Sequence, residues 1–195
     1  MAFEYSAENH DWDLTLHAAG ELTAAGLRMD KLPTTGTLSK GFSFFTGGMV
    51  LAFAAIESFS ASVAFSMPAD PRFSTFDYER YRATRRFWGK MEQLMSSAGI
   101  IIDKGEGIFQ RIGQMQDWRN LVTHASPYEI EVTEIPETVK APSRLHANKR
   151  HLEYTRMTDG EHARIFYETA CAFINLVKER TGLEPHASVT YRPLE

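Results

Sequence analysis

The sequence predicts a mainly α-helical fold, a bundle of about five helices with a β-hairpin-like insertion before the last helix. Long segments repeat their apolar residues at helical spacing. Prolines and glycines fall between those segments. One stretch, Pro127 to Thr158, switches to strand alternation. The chain of 195 residues has the size of a single domain, read as 1–195, with 127–158 as an insertion within it.

His10 to Met29 reads as the first helix, weakened by Gly20 and Gly26. Lys31 to Phe42 holds Pro33, Thr34, Thr35 and Gly36 and reads as a loop. Met49 to Ser66 reads as the central helix, stopped by Pro68 and Pro71. Ser58, Ser62 and Ser66 recur every four residues on it, and Ala54 and Ala55 continue that small-residue face, which suits close approach of another helix. The surrounding stretch, Gly41 to Ala69, carries Glu57 as its single charge and has the length of a membrane span. Its serines and its adjacent Gly47 and Gly48 favour a buried helix in a bundle. Phe76 to Met95 reads as one continuous third helix, with Tyr81, Trp88, Met91 and Met95 on one face. Gly99 to Gly107 is a turn, and Ile108 to Ala125 is the fourth helix, ended by Pro127.

In the insertion, Tyr128, Ile130 and Val132 alternate with Glu129 and Glu131, and Leu152 and Tyr154 alternate likewise. The last helix opens with the capping-box spacing Thr158-Asp159-Gly160-Glu161. Ala163, Phe166, Ala170, Phe173, Ile174 and Val177 form its apolar stripe, and Gly182 ends it.

Composition narrows the function. The single cysteine, Cys171, excludes an internal disulfide and any multi-cysteine zinc site; beside the last helix's stripe it reads as buried and inert. A net charge of −4 argues against coating nucleic acid non-specifically. His10-Asp11-Trp12-Asp13 lacks helical ligand spacing, Lys104-Gly105-Glu106-Gly107 lacks the phosphate-loop pattern, and Glu161-His162 is not the Glu-x-x-His of a di-iron bundle. No metal and no cofactor are therefore expected. Met1 to Tyr5 has neither a basic nor an apolar leader pattern, so the expected location is cytoplasmic, with no membrane partner.

On the fourth helix Ile108, Ile112, Met115 and Val122 share a seam, and Arg119 falls within it. An inward guanidinium needs a partner, and Glu57 is the natural one. Asn120 and His124, four apart, share the flank of the same helix. Arginine neutralises phosphoryl groups, asparagine donates to an oxyanion, and histidine transfers protons near neutral pH. The same residues also suit plainer roles: a structural Glu57–Arg119 pair and a histidine at a helix C-terminus. Two basic clusters stand out, Arg72, Arg80, Arg82, Arg85, Arg86 and Lys90, and, in the insertion, Lys140, Arg144, His146, Lys149, Arg150, His151 and Arg156. Either suits RNA phosphates; nearby acids such as Asp77, Glu79, Glu129, Glu131 and Glu134 suit pairing within the protein.

Trp118-Arg119-Asn120-Leu121-Val122-Thr123-His124 resembles the signature of the HEPN superfamily (higher eukaryote and prokaryote nucleotide-binding domains): an arginine, a polar residue, then a histidine at a helix end. The segments LAFAAIESF and RRFWGKMEQLM are similar to helices of that superfamily, and the likeness covers Ser43 to Ser126 plus the final helix. It implies a helical bundle that forms a homodimer with paired motifs at the interface. It also implies a metal-independent endoribonuclease of toxin–antitoxin or phage-defence type, with Arg119, Asn120 and His124 as catalytic residues and Glu57 supporting them. RNA or a nucleotide, and an antitoxin protein, are the implied partners. The alternative within the same family is a catalytically silent dimeric module that binds nucleotide, RNA or a protein. Ser126 stands where the toxins that pair with a nucleotidyltransferase often have tyrosine, and that departure favours the alternative.

Overall fold

The computed structural model describes residues 3–33, 39–123 and 157–193. Among these the chain is mainly helical, as its periodicity predicts. In order it forms β1 (Phe3–Glu8), α1 (Trp12–Asp30), α2 (Phe42–Ser66), α3 (Tyr78–Ala83), α4 (Phe87–Ser97), α5 (Gly107–Thr123), α6 (Gly160–Thr181) and β2 (Ser188–Pro193). Two short 3-10 turns, Met67–Ala69 and Pro71–Phe73, follow α2, each with one of the prolines that stop it in its first two residues.

The apolar helix α2 forms the axis of the core. Phe45, Met49, Phe53, Ile56, Phe59 and Val63 are all buried along it. The stripe read on the last helix, Ala163 to Val177, is buried against this core, as expected. The segment Phe42–Ala69 is long and apolar enough to cross a membrane by length and composition, and 61% of its most apolar window is buried inside the bundle.

Close approach of α1 to α2 falls to glycine. A Cβ on Gly48 would stand 2.7 Å from Thr23 Oγ1 and 3.2 Å from the Ala19 carbonyl oxygen, so α1 can lie on α2 only because Gly48 has none. Ser62 is buried, while Ser58 and Ser66 are half-buried.

Several boundaries differ from the expectation. Helix α2 begins at Phe42, not Met49, because Gly47 and Gly48 continue the helix. The continuous third helix is two helices. Thr84 and Arg86 adopt extended backbone, with ψ of 120° and 130°. Thr84 Oγ1 donates to the Arg80 carbonyl at 2.9 Å and accepts from Gln93 Nε2 at 2.9 Å, which closes α3 and ties the break to α4. The N-cap of α6 is Asp159 rather than Thr158: its carboxylate accepts from the His162 N–H at 2.8 Å and lies 2.9 Å from His162 Nδ1. Gly182 ends α6 at φ +69°, as expected of a left-handed cap. Cys171 is half-buried, more accessible than its place beside the stripe suggested.

The short antiparallel pair β1–β2 was not anticipated. It runs from Phe3 opposite Pro193 to Glu8 opposite Ser188 and joins the two ends of the described chain. Trp12 Nε1 donates to the Pro185 carbonyl at 2.7 Å, holding the segment that leads into β2. The hairpin expected within 127–158 lies outside the described residues, apart from Met157 and Thr158.

Candidate functional site

The site begins with how α5 is turned. Its buried seam is Phe109, Ile112, Met115 and Trp118, with Ile108 and Val122 half-buried at the margins. Trp118 packs edge-on to Phe166 of α6 with ring centroids 5.6 Å apart, and its Nε1 donates to Thr158 Oγ1 at 3.3 Å. The tryptophan thus takes the core position, and Arg119, about 100° further round, faces away from α6 toward α2. Arg119 is therefore not a core residue: its side chain is 31% exposed. The expectation of an inward guanidinium was wrong: Arg119 shares the face of Ile112 and Met115 but opens onto a cleft.

Arg119 nevertheless meets Glu57. Its Nη2 lies 3.7 Å from Glu57 Oε2, an ion pair rather than a hydrogen bond. Its Nη1 donates to Asn120 Oδ1 at 3.2 Å, and its guanidinium lies 5.8 Å from the centroid of the Phe53 ring. Burial raises the Glu57 carboxyl above its ordinary range, while Arg119 and Lys90 pull it part of the way back. His124, the remaining motif residue, lies outside the described residues.

The pair borders an open cleft of about 870 Å³. Helix α2 contributes Phe53, Glu57 and Ser60, α3 contributes Tyr81, and α5 contributes Gln116 and Arg119. The extended break after α3 brings in Arg85 and Arg86, and α4 adds Phe87, Trp88, Lys90 and Glu92. Lys104 enters from the turn before α5. Five cationic side chains therefore meet two carboxylates, an excess of three positive charges. Phe53, Phe87 and Trp88 form a chain of ring contacts at 5.0 and 5.2 Å, with Arg119 beside one end. Lys104 caps the other end, 4.5 Å above Trp88, and its Nζ donates to Glu92 at 3.1 Å.

Tyr81 is not an acid–base candidate. Burial, helped by the neighbouring Tyr78 and Glu57, pushes its hydroxyl up to about 12, and Lys90 sits 5.2 Å above its ring. Such a hydroxyl stays neutral and protonated through the physiological range.

The first basic cluster divides. Arg85, Arg86 and Lys90 reach the cleft. Arg72 is held by Asp70 and donates to the Thr181 carbonyl at 2.8 Å, closing the end of α6, and Arg82 pairs with Glu79 at 3.5 Å. The second cluster lies outside the described residues. Lys104, dismissed with its failed phosphate-loop pattern, is the cleft residue that the sequence hid. Its partners, Trp88 and Glu92, come from another helix, and no local spacing announces them. Among the described residues no group of three or more His, Cys, Asp or Glu is placed to hold a metal. The chain matches no protein-family model, no curated protein and no solved structure.

Proposed function

We propose that this chain is a HEPN-like, RNA-binding protein that cleaves RNA without a metal, in a toxin or phage-defence setting. The observation that carries the reading is Arg119 at the rim of a cleft with three excess positive charges. A single-stranded polyanion suits such a surface, since phosphate contacts supply most of its affinity. In this reading Arg119 grips the phosphate with its two-pronged fork and Asn120 orients it. His124 moves the proton of the 2′-hydroxyl or of the leaving oxygen. Glu57 holds Arg119 in place in the free protein. The protein works in the cytoplasm as a homodimer with paired motifs, and an antitoxin protein restrains it.

The experiment is incubation of the purified chain with mixed RNA in chelator. Cleavage is expected to persist in chelator, to leave cyclic-phosphate ends, and to fall about 10²–10⁴-fold in His124→Ala, the usual scale of general acid–base catalysis. Cleavage that needs a divalent metal, or that survives in His124→Ala, overturns the mechanism. RNA binding with no cleavage by the unmutated chain moves it to the silent-module class, which the Ser126 position favours.

A further inference from the structure

We propose that Glu57 is a proton-operated latch on the cleft: it holds Arg119 until an RNA phosphate takes Arg119 over, and it then takes up a proton. The inference rests on the RNA-binding reading above and adds how that binding is regulated. The exchange breaks one ion pair, Glu57–Arg119, and forms another, phosphate–Arg119; the proton comes from solvent to the Glu57 carboxylate.

The geometry makes the exchange competitive. Glu57 Oε2 faces Nη2 of Arg119 at 3.7 Å, while Nη1 is engaged by Asn120. A phosphate seated on the fork from the cleft side therefore meets the Glu57 carboxylate at close range, and both are negative. Glu57 is only 40% exposed, so water screens that repulsion incompletely. Protonating Glu57 removes it. Burial favours the neutral carboxyl, which lowers the cost of protonation.

Other charged groups face Glu57 from the neighbouring elements, and the Glu57 variants below separate their part from its own. Arg119 from α5 and Lys90 from α4 act on it as positive charges, and Tyr81 from α3 stays neutral. Arg85, Arg86 and Lys104 complete the cationic wall. Glu92, the other carboxylate of the cleft, is bonded to Lys104.

The sign follows from linkage. An anion bound beside Glu57 raises its pKa further, so affinity climbs as pH falls between the pKa in the complex and the lower pKa in the free protein. One linked proton gives at most a tenfold gain per pH unit.

The test uses the full chain and a 2′-O-methylated single-stranded oligonucleotide, which binds but cannot be cut through its 2′-oxygen. Affinity is measured by fluorescence anisotropy from about pH 7.5 down to about pH 5, a range that spans histidine and reaches toward raised carboxylates. The unmutated chain is expected to tighten by up to tenfold per unit over part of that range. Glu57→Gln is expected to bind tightly at neutral pH and to lose the Glu57 part of the slope; Glu57→Asp is expected to keep it. His124 is common to all three, so its contribution cancels in the comparison. Equal slopes in Glu57→Gln and the unmutated chain overturn the latch and leave the RNA reading standing. No binding at any pH overturns both. Should Glu57→Gln fail to fold, Glu57→Ala takes its place in the same titration: loss of slope supports the latch, and a slope equal to that of the unmutated chain overturns it.

Discussion

Arg119 and Trp118 are adjacent in sequence and opposite in consequence. Trp118 is 1% exposed and fixes the rotation of α5 against α6. Arg119 and Glu57 keep 31% and 40% of their side-chain surface and meet at 3.7 Å. A pair that exposed is worth about 0–1 kcal/mol, far from the several kcal/mol that an arginine within an apolar seam implied. Arg119→Ala is therefore expected to lower stability by no more than about 1 kcal/mol, and Trp118→Ala by about 3–5 kcal/mol. Urea unfolding with unchanged m reads both. Arg119→Lys keeps a charge beside Glu57 and loses the planar fork, so it should unfold like the unmutated chain while RNA cleavage falls. A large stability loss in Arg119→Lys would show that the guanidinium holds the fold rather than a phosphate. The partner of Arg119 was legible because each residue is a charge on an otherwise apolar helix face. Its exposure was not, because Arg119 shares the helix face of the buried Ile112 and Met115 and opens onto a cleft built with α2 and α4, which a wheel of α5 alone does not display.

At the scale of elements, the glycines separate two kinds of helix interior. Gly48 lies where α1 touches α2, and an added methyl would press on Thr23 Oγ1 and the Ala19 carbonyl. Gly113 lies within α5, and a Cβ there would meet only Trp88 Cζ2 at 3.8 Å, an ordinary contact. Gly48→Ala is expected to destabilise by about 1–3 kcal/mol through overpacking. Gly113→Ala is expected to stabilise by about 0.5–1 kcal/mol through backbone entropy. Thermal unfolding of the two variants should move in opposite directions; a gain in both would mean that α1 yields without cost. The same residues explain which boundaries the sequence conceals. Gly182 stops a helix because it takes positive φ, whereas Gly47 and Gly48 sit inside α2. The break at Thr84–Arg86 escaped because Tyr81, Trp88, Met91 and Met95 keep helical spacing across it. The extended backbone of Thr84 and Arg86 and the bonds of Thr84 to Arg80 and Gln93 reveal the turn. The β1–β2 pair is concealed for a different reason: Phe3 and Pro193 stand at opposite ends of the chain, and register between them has no local signal.

On the scale of the molecule, the charge sum misleads. The chain carries −4 overall, yet α2, the α3–α4 break, α4, the turn before α5 and α5 together place three excess positive charges in one cleft. Composition averages that asymmetry away, and the cluster read on Phe76 to Met95 located only Arg85, Arg86 and Lys90 of it. In the RNA-binding reading, the net negative charge of the rest of the chain repels RNA at a distance, and the cleft attracts it within about one Debye length, roughly 8 Å at physiological salt. Binding should therefore weaken with salt to an extent set by the cleft. Each phosphate neutralised on a single strand contributes about −0.7 to the slope of log affinity against log salt, so the excess of three predicts a slope of about −2. Arg85 and Arg86 are exposed and remote from Trp118 and Gly48 in the chain, so replacing both with glutamine should leave stability within about 0.5 kcal/mol. That double variant is expected to bind more weakly at low salt and to reduce the slope by about 1.4. Titrating a 2′-O-methylated strand at several salt concentrations measures both. An unchanged slope would mean that the strand does not cross the α3–α4 break. The counterions would then be released elsewhere, and the basic residues from Lys140 to Arg156 would be the next to neutralise.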